Sequence, residues 1–170
     1  VNSALITHSH TDHARPGNKK ILGTLDTINI MKLRYGKNYC QYSQKIECGK
    51  LLKIRGVNIK FIPAGHILGS SQIYLEYKGE IIIVSGDYKR RKDPTCDLFE
   101  VSKCHTFITE ATFGLPIFSH PNDINETSKL IKSISDNSDY CHLVGVYALG
   151  KCQRFITLLR LSLIHISEPT

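Results

Sequence analysis

Within His8-Ser9-His10-Thr11-Asp12-His13, four of six residues carry side chains able to hold a metal ion or move a proton. The cluster directly follows an apolar, strand-like run, Ala4-Leu5-Ile6-Thr7. A rigid strand ending in a loop can bring several side chains to one point. Imidazole and carboxylate donors suit zinc, with manganese and iron as further fits, whereas a soft-metal site would use thiolates. So dense a group of donors behind a buried strand predicts a metal site rather than a solvated loop. Two later candidates also stand at the ends of apolar runs. One is His66 in Phe61-Ile62-Pro63-Ala64-Gly65-His66; the other is Asp87 in Ile81-Ile82-Ile83-Val84-Ser85-Gly86-Asp87. A glycine precedes each, which lets backbone approach where a Cβ would crowd the ion.

The elements that must position these residues follow from residue pattern. Runs rich in β-branched residues predict strands at 4–7, 21–23, 45–47, 51–54, 57–63, 72–77, 80–85 and 106–109. Lys78-Gly79 reads as a tight hairpin turn. Thr24 can cap a helix over 25–34, with Ile28, Met31 and Leu25 facing a core, and Tyr35-Gly36 ends it. Further along, Asp123-x-x-Glu126 resembles a capping box opening a helix to about 135. A strand at 142–147 and a helix over 150–163 complete the pattern. Strands first, then strands alternating with helices, predict a layered α/β or α+β domain.

Composition sets the outer bounds. The chain has 170 residues, 41% of them hydrophobic and 22% charged, which excludes disordered and collagenous classes. That length suffices for one full domain and hardly two. No apolar run reaches the roughly 20 residues of a membrane helix, so no membrane partner is expected. Six cysteines without a C-x-x-C pair predict free thiols and a cytoplasmic location. The net charge of +7 points to an anionic partner. That charge has a location: eleven Lys/Arg face two acids between Arg15 and Lys60, and Lys89-Arg90-Arg91-Lys92 follows Asp87. Such a run beside a metal site would meet the phosphates of a nucleic acid, and Tyr88 could stack on a base.

The order H-x-H-x-D-H, G-H, S-G-D resembles the metallo-β-lactamase fold. The resemblance implies a four-layer αββα sandwich with a dinuclear metal site at one edge. By it, His8, His10 and His66 would hold one ion, Asp12 and His13 the second, and Asp87 would bridge them. Longer blocks narrow the likeness to the nuclease branch with a β-CASP domain. Ala64-Gly65-His66-Ile67-Leu68-Gly69-Ser70 is one. Thr109-Glu110-Ala111-Thr112-Phe113-Gly114 resembles that branch's motif A, and 147–154 resembles the opening of its β-CASP segment. Narrower still, His13-Ala14-Arg15-Pro16-Gly17, the stretch 85–96 and Phe113-Gly114-Leu115-Pro116-Ile117-Phe118 resemble bacterial ligase-associated DNA exonucleases. Those are also described as mRNA 3′-end processing factor-like.

The resemblance implies a catalytic domain over 1–140, the start of a β-CASP segment at 141–160, and a non-native tail at 161–170. It also implies truncation at both ends: the first strands and the later β-CASP histidines have no counterpart, and His165 is not counted as a substitute ligand. The expected activity is phosphodiester hydrolysis with two zinc ions, manganese being an alternative. Two ions about 3.5–4 Å apart can hold a bridging hydroxide for in-line attack. Asp87 would bridge, Asp12 would orient the nucleophile, and Glu110 would fix a histidine proton from behind the ligands. DNA is favoured over RNA as substrate, with a DNA ligase or helicase from the same operon as partner. The alternatives are an RNA 3′-end processing nuclease and a catalytically inactive nucleic-acid-binding fragment. A thioesterase-like hydrolase fits the metal motif but not the basic run.

Overall fold

A computed structural model describes residues 1–167, with side chains described to residue 162. The chain divides into two compact units, Val1–Glu110 and Ala111–Thr170. The first holds two sheets and one helix. Strands β1 (Ser3–Leu5), β2 (Asn18–Thr24) and β3 (Cys40–Ile46) form a parallel sheet in that order. Strands β4 (Leu51–Ile54), β5 (Val57–Pro63), β6 (Ser71–Tyr77), β7 (Glu80–Val84) and β8 (Thr106–Ile108) form a second sheet, antiparallel except for the β7–β8 pair.

Alternation along β2 places its neighbours on opposite faces. Ile21 packs with Ile6, Ile28 and Met31 beneath helix α1 (Leu25–Tyr35). Leu22 points the other way, into a core with Ile46, Ile59, Phe61 and Ile73 between the two sheets. The first unit is therefore layered helix, sheet, sheet, which agrees with the expected α/β layering. Burying a side chain such as Phe61 completely stabilises the fold by about 1.5–3 kcal/mol.

Helix α1 follows its sequence signals. The Thr24 hydroxyl accepts from the Thr27 N–H at 3.3 Å, and Gly36 at φ 77° ends the helix. Leu25 departs from expectation and is half exposed. The buried stripe runs through Thr27, Ile28 and Met31, about 100° round the helix from Leu25. The Lys78-Gly79 turn has φ 52° and 87°, as a two-residue hairpin with right-handed strand twist requires.

The second unit is helical among its described residues. Helices α2 (Asp123–Asp136) and α3 (Lys151–Ser167) pack on each other, and the Arg154 guanidinium pairs with Asp123. The cap of α2 is Asn122, not Asp123: its Oδ1 accepts from the Ile124 N–H at 2.9 Å. The strand expected at 142–147 does not form. It finds no strand to pair with among the described residues of this unit, and Leu143 is 92% exposed. Residues 168–170 of the expected tail and the His165 side chain lie outside what is described. All six cysteines are free, and among the described residues no helix is long and apolar enough to cross a membrane.

Candidate metal centre

Three strand ends supply the candidate ligands. The connection from β1 to β2 carries His8, His10, Asp12 and His13; the β5–β6 connection carries His66; the β7–β8 connection carries Asp87. Parallel neighbours cannot be joined by a tight turn. The β1–β2 and β7–β8 pairs therefore need long excursions, and these carry the chemistry.

Backbone bonds at Thr7 stitch the two sheets where those ends meet. Its carbonyl accepts from the Ser71 N–H at 2.8 Å and from the Ser71 hydroxyl at 3.1 Å. Gly86 packs so closely on Thr7 that a Cβ would meet it at 2.7 Å. At Gly65, φ +72°, a Cβ would lie 2.3 Å from the Lys89 carbonyl oxygen. Both ligand-preceding glycines are thus demanded by close backbone approach. The Ser70 hydroxyl shapes the next turn by accepting from the His66 and Ile67 N–H groups at 3.0 and 3.1 Å. The Arg34 guanidinium ties α1 to the histidine loop through the Ser9 carbonyl at 2.7 Å and the Thr11 hydroxyl at 2.8 Å.

These supports bring His8, His10, His66 and Asp87 together, one ligand atom from each within 4.8 Å of the others. His8 Nε2 and His66 Nε2 stand 3.0 and 3.1 Å from His10 Nδ1. Asp87 Oδ2 lies 3.7 Å from His8 Nε2 and 3.6 Å from His66 Nε2. Tetrahedral zinc with bonds of about 2.0–2.1 Å sets its donors roughly 3.3 Å apart. The observed spacings straddle that value, so the group fits a tetrahedral ion. The other Asp87 oxygen, Oδ1, lies 3.2 Å from His13 Nε2, and that nitrogen lies 3.5 Å from Asp12 Oδ2. Asp87 thus faces both groups, one oxygen toward each. Asp12 is the outermost member, with its side chain 73% exposed.

The electrostatics suit ligation. Burial, reinforced by His13, His66 and His10, pushes the His8 pKa from 6.5 down to about 2. Burial and then His10 lower His66 to about 4, although Asp87 and Glu110 oppose the change. Both rings are therefore neutral at pH 7, with a lone pair to donate. The Glu110 carboxylate lies 3.5 Å from the Tyr88 N–H, and the Glu110 N–H lies 3.4 Å from the Ser85 hydroxyl.

The basic run does not present itself uniformly. Arg90, Arg91 and Lys92 are exposed. Lys89 turns inward and its ammonium pairs with buried Asp93. The Tyr88 ring packs against Phe99 at 5.1 Å and Phe107 at 6.4 Å between centroids. Sequence reasoning did not single out Asp93 or Arg34. The only sequence cue for Asp93 is its spacing, four residues after Lys89 and two before Thr95.

No protein-family model matches the chain. An RNase J-like protein of Methanocaldococcus jannaschii is 28% identical over 94% of this chain and 43% of its own length. Endoribonuclease YSH1 of Gibberella zeae is 35% identical over 62% of this chain and 13% of its own. A probable DNA ligase of Opitutus terrae is 27% identical over 96% of this chain and 16% of its own. The chain is thus similar in sequence to RNase J-like and YSH1 nucleases and to a ligase of the metallo-β-lactamase/β-CASP kind. It spans less than half the length of these curated relatives. A solved structure from Enterococcus faecalis, of a protein of unknown function, shares the fold with TM-score 0.54 at 13% identity, over 79% of this chain and 39% of that one.

Proposed function

We propose that the chain carries the metal centre of a nuclease that hydrolyses phosphodiesters in DNA, as an exonuclease acting beside a DNA ligase. The observation that carries this reading is Asp87, whose two oxygens face two separate donor groups at the foot of an exposed basic loop. His8, His10 and His66 would hold one ion, Asp12 and His13 the other, and Asp87 would join them. Two zinc or manganese ions, when bound there, would neutralise phosphoryl charge and lower the pKa of a coordinated water from about 15.7 toward 7.

The residues of the chain do the rest. Burial keeps His8 and His66 unprotonated, so they donate lone pairs at neutral pH. Asp12, exposed and 3.5 Å from His13, orients the attacking nucleophile from the solvent side. Glu110, whose charge favours a protonated His66, stands behind the ligands and fixes ring orientation. Arg90, Arg91 and Lys92 hold backbone phosphates, a sequence-independent source of affinity. The catalytic domain of this reading ends near residue 140 and a β-CASP segment begins at 141. The free cysteines suit a reducing, cytoplasmic setting.

An alignment covering almost the whole chain with a probable DNA ligase supports DNA. The RNase J-like and endoribonuclease YSH1 relatives favour RNA as substrate, which supports the second reading, an RNA 3′-end processing nuclease. A metal analysis with a cleavage assay on single- and double-stranded DNA and RNA separates them. The full-length gene product is expected to bind two equivalents of metal and degrade DNA. Binding under one equivalent and cutting neither polymer would overturn the enzyme reading. The Asp87→Ala variant should lose activity by at least about 100-fold; full activity in it would sink the bridging role.

A further inference from the structure

The β7–β8 connection, residues 85–105, has no regular secondary structure, yet a ligand such as Asp87 must be held within about 0.5 Å of its productive position. Excursions of this length without internal order are uncommon in a compact unit. Two sets of contacts hold this one. Its backbone grips the segment before His66: the Lys89 N–H donates to the Ala64 carbonyl at 3.0 Å and the Glu100 N–H to the Pro63 carbonyl at 3.1 Å. Buried Gln72 reinforces the grip, its amide donating to the Pro63 and Glu100 carbonyls at 3.1 and 2.7 Å. The second set is internal and centres on Asp93, only 6% exposed. Its Oδ1 accepts from the Thr95 N–H at 2.9 Å and the Thr95 hydroxyl at 2.6 Å, while Oδ2 takes the Lys89 ammonium.

Lys89 is where the two sets meet. Two residues after Asp87 in sequence, its backbone lies against Ala64-Gly65 while its side chain is drawn to Asp93. We propose that Asp93 is a positioning residue of the metal centre: through Lys89 it fixes the loop that carries Asp87 against the segment that carries His66. Lys89 then serves the site as an internal strut and not as a phosphate contact. A buried ion pair is a weak source of net stability, but losing one partner leaves a charge without compensation, so the pair enforces one arrangement of the loop. The inference rests on the metal-centre reading above.

The experiment is a cobalt titration of the full chain, followed by visible d–d absorption, on wild type, Asp87→Ala, Asp93→Asn and Lys89→Met. Wild type should bind cobalt and Asp87→Ala should bind it far more weakly; a wild type that binds none refutes the metal centre itself. Given a wild type that binds, Asp93→Asn and Lys89→Met should each weaken cobalt affinity about 10–100-fold. They should also alter the absorption band at saturating cobalt, which a loss of stability alone would leave unchanged. The conservative Lys89→Arg variant should restore the wild-type band. Wild-type affinity and spectrum in either Asp93→Asn or Lys89→Met overturns the proposal. If Asp93→Asn does not fold, Lys89→Met carries the test. If neither folds, the pair is a folding element and the proposal fails.

Discussion

His8 is fully buried among three other imidazoles, and that environment sets a pH dependence. Its pKa is about 2 in the folded protein against 6.5 as an ordinary histidine. Because the folded value is depressed, the unfolded chain takes up the extra proton once pH falls below about 6.5. Stability is complete above that point and is lost progressively as pH falls toward the folded pKa. His66, lowered to about 4, adds to the loss over the upper part of the same window. Metal-free protein should therefore melt at a lower temperature at pH 5 than at pH 7.5. A His8→Asn variant should show a shallower dependence. Equal melting temperatures at the two pH values would refute the assignment of a neutral, buried His8.

The strand ends are only as precise as the close packing between them. Gly65 combines a left-handed φ of +72° with a Cβ position 2.3 Å from the Lys89 carbonyl. Gly65→Ala should cost about 2–4 kcal/mol, from overpacking against backbone that cannot yield and from the left-handed conformation. Gly17, at φ +94° with nothing within 4 Å of its Cβ position, isolates the second contribution. Its alanine variant should lose only about 1–2 kcal/mol. Urea denaturation of both variants measures the difference, and equal losses would show that close approach at Gly65 does not matter. Elements marked by local chemistry were legible in the sequence: the Thr24 cap, the Lys78-Gly79 turn, and the apolar β5, β6 and β7. Strand β3 was legible only at its end, because Cys40–Ile46 is polar, mostly exposed and without alternation. The reverse error at 142–147 has the complementary cause, since an apolar run does not reveal whether a partner strand exists. At the site, the ligand types and their glycines could be read from spacing. The inward turn of Lys89 could not, because four consecutive basic residues look alike until the buried Asp93 selects one of them.

At the scale of the whole chain, the division at Glu110 separates the chemistry from the rest. All six proposed metal donors lie in Val1–Glu110. Residues 111–122 are exposed throughout and form no helix or strand. They carry Phe113, Leu115 and Phe118, which are 58%, 65% and 46% exposed. Proteolysis concentrates where backbone is accessible and can open locally without unfolding a core. Chymotrypsin should therefore cut the full chain first within 113–118 or at the equally irregular, exposed Tyr140, Leu143 and Tyr147, and not within 1–110. Zinc should not change the rate of that first cut. It should slow the later degradation of the N-terminal product, because a ligand bound only by the folded unit stabilises it by about 2.7 kcal/mol at a hundredfold excess over its Kd. Asp87→Ala should abolish the protection while leaving the first cut in place. A first cut inside 1–110, or zinc protection that survives in Asp87→Ala, would show that the donors do not form a centre within this unit.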